Sequence, residues 1–160
     1  MVEIEEICLS TVDAIRLTEL ARISALARTE FSGFVYGMEK DKKFYLKGVV
    51  PVFEKASYNE VDNQRTEMYV RMFKKFNPSY LFFQYHSHPN GKIDLSPDDL
   101  DVAKDLEIVL WARAEFEEKF FRRNVSYVSY GLIKAYKILE DDKNKKSKEI
   151  PIRIEHSLKL

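Results

Sequence analysis

The residues best suited to chemistry gather in one stretch, YHSHPNGKIDLSPDD, residues 85–99. The chain holds only three histidines, and two of them, His86 and His88, stand here at alternate positions. In a strand, alternate residues share a face, so these two imidazoles project side by side. Held together they lose hydration, and once protonated they repel. A divalent metal removes both difficulties, and zinc accepts imidazole nitrogen at about 2.0–2.1 Å. A third ligand is then expected nearby. Ser96-Pro97-Asp98-Asp99 has the form of a helix start, with serine as N-cap, proline at the first helical position and acids near the positive end of the dipole. Such a helix, docked beside the strand end, would aim a carboxylate at the metal, and on physical grounds Asp98 and Asp99 serve equally.

These residues need elements to position them. Val2 to Leu9 alternates as a short strand, and Ser10 or Thr11 caps a helix to about Arg28 whose Ile15, Leu20, Ile23 and Leu26 keep helical spacing. Phe31 to Gly37 reads as a buried strand, Glu39 to Lys43 as a turn and Phe44 to Phe53 as a second strand. Glu54 to Asn63 is polar and irregular. Gln64 to Phe76 is helical, stopped by Asn77-Pro78. Tyr80 to His88, dense in aromatics, is a central strand that ends on the histidines. From Asp98 to about Arg122 a helix is favoured, with Leu106 to Trp111 as a competing strand. Val125 to Leu139 forms a hairpin or one long bent strand. Asp141 to Lys148 is a charged turn, and Ile150 to Ile154 a last strand. Helices and strands alternate throughout, so one domain over residues 1–160, with helices packed on a single mixed sheet, is the economical architecture.

Composition narrows the partners. Lysine plus arginine, 26, balances aspartate plus glutamate, 26, so no overall field draws in nucleic acid or an anionic membrane. No run approaches the roughly 20 apolar residues of a membrane span. The acidic start MVEIEEICLS is no signal peptide, and the single cysteine, Cys8, fits a reducing cytoplasm. Cys8 on an apolar strand is expected to be a buried small hydrophobe, and His156, in a polar tail, to be solvated.

His86-Ser87-His88, seven residues, Ser96, two residues, Asp99 resembles the H-[ST]-H-x7-S-x2-D pattern of the JAMM (MPN+) metalloproteases. That family also carries an upstream glutamate in a context like E-x-x-G-x-x-x-G, and Glu30, Gly33 and Gly37 stand in that order after the first helix. The resemblance covers most of the chain. It implies a three-layer α/β/α fold of the MPN, cytidine-deaminase-like kind around a mixed sheet. It further implies zinc held by His86, His88 and Asp99 with a water as fourth ligand. Glu30 is then the catalytic base and Ser96 the donor to the developing oxyanion. The implied activity is a peptidase or isopeptidase, resembling prokaryotic stand-alone members, that cuts at the C-terminal tail of ubiquitin-like or sulfur-carrier proteins. The reading leaves room for a homodimer. Alternatives are a repair-associated protein of the same fold, a peptidase that releases one amino acid from a carrier protein, and a metal-free scaffold domain. Zero net charge and the glutamate context favour the hydrolase. Gln84, two before the first histidine, and the length of residues 100–124 depart from the pattern, and the second bears on the substrate groove.

Overall fold

The computed structural model describes residues 3–52, 64–89, 95–102, 106–119, 124–141 and 144–156. The polar segment 54–63 and Asp94 lie outside them. Among the described residues the chain is mixed α/β, with one eight-stranded sheet in the order β7-β6-β5-β4-β2-β3-β1-β8. The strands are β1 (Glu6–Ser10), β2 (Phe31–Lys40), β3 (Lys43–Val52), β4 (Leu81–His88), β5 (Leu106–Lys119), β6 (Asn124–Asp141), β7 (Asn144–Ile150) and β8 (Ile152–Glu155). The helices are α1 (Thr11–Ala27), α2 (Gln64–Phe76) and α3 (Pro97–Val102).

Ser10 is the N-cap of α1. Its Oγ accepts from the Asp13 amide at 3.1 Å and donates to the Asp13 carboxylate at 2.5 Å, which satisfies a backbone donor the first turn leaves orphaned. Arg28 ends the helix in the left-handed region at φ 52. The face α1 buries is Asp13, Ala14, Leu17, Ala21 and Ser24, whereas Ile15, Ile23 and Leu26 are exposed. The helix is apolar around most of its girth, so hydrophobicity does not choose its inner face. Small side chains do, because Ala14, Ala21 and Ser24 let the backbone approach the sheet.

Ala14, Leu17 and Ala21 join Ile7, Leu9, Val35, Phe44, Leu46 and Tyr85 in the main core. Phe34, the neighbour of Val35 in β2, instead meets Phe73 of α2 edge-on at 5.3 Å between centroids. Consecutive strand residues point to opposite faces, so α1 and α2 cover opposite sides of the sheet. The β2–β3 hairpin turns through Asp41 and Lys42, both with positive φ, as a two-residue hairpin loop requires. At Gly33 a Cβ would meet the Val50 carbonyl oxygen and lie 2.7 Å from a Tyr85 ring carbon. Glycine there lets the Tyr85 ring lie across β2, and Tyr85 immediately precedes His86.

Two expectations are corrected. Residues 106–119 form β5 and not the continuation of a helix, which stops at Val102. Ala112 to Lys119 contains good helix formers, but pairing with β6 along their whole length overrides that preference. Residues 144–148 are not a turn but the start of β7, the edge strand, whose Lys145, Lys146 and Lys148 suit an unpaired edge. Val125 to Leu139 lies within one long strand, β6. Pro151, which has no N–H to donate, separates β7 from β8.

Candidate metal centre

The two histidines sit at the C-terminal end of β4, and both are buried. His86 is in register with Ser32 of β2, two residues before Phe34. His86 and His88 therefore lie on the sheet face that α2 covers, and Ser87 on the other. Ser87 Oγ accepts the Phe31 amide at 3.0 Å and donates to the Phe31 carbonyl at 3.3 Å. This side chain fastens the end of β4 to the start of β2, so it holds both imidazoles against the strand that follows Glu30.

Glu30 arrives by a short, well-tied connection. The Thr29 amide bonds to Ser24 O at 3.2 Å, and Ser24 Oγ donates to Thr29 O at 2.6 Å. Glu30 itself is buried. Glu30 directly precedes β2, whose first residue, Phe31, pairs with Ser87, the residue between the two histidines.

Asp99 comes from α3. The Ser96 amide donates to Asp99 Oδ2 at 2.6 Å, and the Asp99 amide donates to Ser96 Oγ at 3.1 Å, a reciprocal cap. This clamp turns the carboxylate back toward β4. Asp99 Oδ1 is 3.5 Å from His86 Nε2, and Oδ2 is 3.5 Å from His88 Nε2. The two Nε2 atoms are 2.7 Å apart. Asp98, one residue earlier, is exposed and outside this group.

The donor set fits a metal. Three ligand atoms from His86, His88 and Asp99 lie within 4.8 Å of one another. Two ligands of one tetrahedral zinc, each at 2.0–2.1 Å, stand about 3.3–3.4 Å apart. The imidazole–carboxylate separations of 3.5 Å match that. The imidazole pair at 2.7 Å is closer and would open by about half an ångström around an ion. Electrostatics act in the same sense. Burial alone would raise the Asp99 pKa, but the hydrogen bond from His88, the charge of His86 and the hydrogen bonds from Ser96 outweigh it and hold the carboxyl well below its usual range. Asp99 is thus kept as the anion a cation needs.

The stretch that drew attention in the sequence is brought together in space, with His86, His88 and Asp99 converging and Ser96 clamping the last of them. Cys8 is fully buried, and burial pushes its thiol up although Arg153 opposes the shift. His156 is exposed. Sequence reasoning missed Ser87 and Ser24. Strand alternation held the signal for Ser87, because a residue between two same-face ligands must point to the opposite side.

No family model matches the chain, and no curated protein does. Solved structures do match. A solution structure of a protein from Desulfitobacterium hafniense aligns with a TM-score of 0.68, covering 95% of this chain and 94% of that one at 16% identity. At that identity the likeness speaks for the fold alone, a mixed α/β domain. Among the described residues no helix is long and apolar enough to cross a membrane.

Proposed function

We propose that this chain is a zinc-dependent peptidase or isopeptidase of the JAMM (MPN+) kind, acting at the C-terminal tail of a ubiquitin-like or sulfur-carrier protein. The observation that carries the reading is the convergence of His86, His88 and Asp99 at the end of β4, with Glu30 buried immediately before β2, the strand paired with β4. Zinc, held by those three residues, would supply a water acidified to near neutral pH. Glu30 orients the attacking water, takes its proton and passes that proton to the leaving amine. Ser96 donates a hydrogen bond to the carbonyl oxygen as negative charge develops there. Its hydroxyl and amide both hydrogen-bond Asp99 in the structure, and a cation on that carboxylate would compete for the hydroxyl's bond. The buried setting of both histidines and Glu30 strengthens each of these interactions. The fold reading that accompanies this is MPN-like, with α1 and α2 on the two sides of the mixed sheet.

The test is direct. Zinc-loaded protein is incubated with ubiquitin-like and sulfur-carrier proteins of its own source, extended or conjugated at the C-terminus, and intact masses are recorded. Cleavage at the tail that a chelator stops and zinc restores is expected. Stoichiometric zinc without cleavage, or cleavage indifferent to chelator, overturns the reading.

A further inference from the structure

Ser32 carries a buried hydroxyl that the fold does not use. The residue is 1% exposed, and its Oγ has no hydrogen-bond partner among the described residues. A hydroxyl taken out of water without a partner costs stability, so a native chain that keeps one has a specific use for it. Alanine would fill the same space to within one oxygen atom, and packing alone does not require the serine.

Register gives the direction in which that oxygen is aimed. Ser32 of β2 stands directly opposite His86 of β4. Opposed residues of an antiparallel pair share a face, with Cβ atoms about 4.5–5.5 Å apart. The Ser32 side chain therefore lies beside the His86 imidazole. The far nitrogen of that ring, Nε2, points into the ligand group, 2.7 Å from His88 Nε2 and 3.5 Å from Asp99 Oδ1. The near nitrogen, Nδ1, is the one that a side chain as short as serine reaches from the neighbouring strand. A neutral imidazole that gives its Nε2 lone pair to a metal carries its proton on Nδ1. Ligand histidines almost always donate that N–H to an acceptor, which fixes the ring and raises its basicity.

We propose that Ser32 is a positioning residue of the metal centre, whose Oγ accepts the His86 Nδ1–H and holds the ring with Nε2 toward the cation. This rests on the reading of His86, His88 and Asp99 as metal ligands and adds to them a residue of β2. Ser87, on the opposite face, ties the two strands together through the Phe31 backbone. Ser32 ties β2 to the ligand itself.

Zinc affinity is measured by competition with a chromogenic chelator for the wild type and Ser32→Ala, and the urea midpoint of each is taken after zinc is stripped. The zinc Kd of the variant is expected to rise about 10–100-fold, the usual effect of removing such a partner. The stripped variant should unfold at the same urea concentration or a higher one, because a buried hydroxyl without a partner has been removed. An unchanged Kd overturns the proposal. So does a Kd that rises together with a lower urea midpoint, the mark of a serine that serves packing. Should Ser32→Ala fail to fold, proton NMR of the zinc-loaded wild type decides. A slowly exchanging His86 Nδ1–H with cross-relaxation to the Ser32 β-protons supports the bond, and the lack of that cross-relaxation overturns it. Wild type that takes up no stoichiometric zinc is a distinct result, seen before any variant is compared, and means that the metal reading itself has failed and this inference with it.

Discussion

Replacing Asp99 by alanine, beside the same change at Asp98, separates a metal ligand from a helix-start acid, and its size follows from the geometry. Asp99 faces both imidazoles at 3.5 Å and is clamped by Ser96. Asp98 is exposed. Loss of a partner that merely orients a ligand costs about 10–100-fold in metal affinity, so loss of one of three ligands costs at least about 100-fold. Zinc at about 1,000 times its Kd stabilises the folded wild type by about 4.1 kcal/mol. For a chain of this size that corresponds to a rise in Tm of roughly 8–16 °C, at about 2–4 °C per kcal/mol. In Asp99→Ala the same zinc concentration is at most about 10 times Kd, worth about 1.4 kcal/mol or roughly 3–6 °C. Asp98→Ala should retain the full zinc shift and lose only about 0.3–1 kcal/mol through the helix start. Thermal melts with and without zinc, run on all three proteins, read this out. A full zinc shift in Asp99→Ala, or its loss in Asp98→Ala, refutes the ligand assignment.

Other outcomes follow from the same structure. Glu30→Gln keeps zinc and fold, while turnover drops about 10²–10⁴-fold because glutamine holds a water but takes no proton; zinc content and rate measured on one preparation check this, and a zinc-free variant would make Glu30 a ligand. Gly33→Ala drives a Cβ against the Val50 carbonyl and the Tyr85 ring, which should cost about 1–3 kcal/mol in urea unfolding. A neutral result there would mean that β2 and β3 part easily. Cys8 is buried with its thiol pushed up, so at pH 8 it stays protonated and should resist alkylation in the folded protein but react in denaturant. Fast native labelling, followed by mass spectrometry, would contradict the packing drawn for β1.

How far the sequence could be read depended on the range of the forces involved. The helix Gln64–Phe76 has the expected bounds and the strand expected over Tyr80 to His88 runs from Leu81 to His88, because capping, periodicity and the stop at Asn77-Pro78 are local. The inner face of α1 was illegible, since a helix apolar on several sides is oriented by the sheet it meets. Residues 112–119 were misread for the same reason in the opposite sense. Their local preference is helical, and only the long pairing with β6 makes them a strand. At the site, the shared face of His86 and His88 was legible from alternation alone. Asp98 and Asp99 were not separable by physics, because neighbours on a first helical turn differ only in direction, and direction depends on how Ser96 docks that turn beside β4.

The parallel pairing of β1 with β8 has a consequence for how the chain folds. Ile7 pairs with Ile152, and the Thr11 hydroxyl bonds to a carbonyl 144 residues away. That flank of the sheet cannot close until almost the whole chain is available, so loop-closure entropy is met before the contact rewards it. During synthesis β1 can find β3 early but must wait for β8, with one edge open in the meantime. A slow last phase in refolding, sensitive to changes at Ile152 and Ile154 and indifferent to the metal ligands, is the kinetic signature of that delay. Over the same interval the nascent chain is most exposed to pairing with a neighbour.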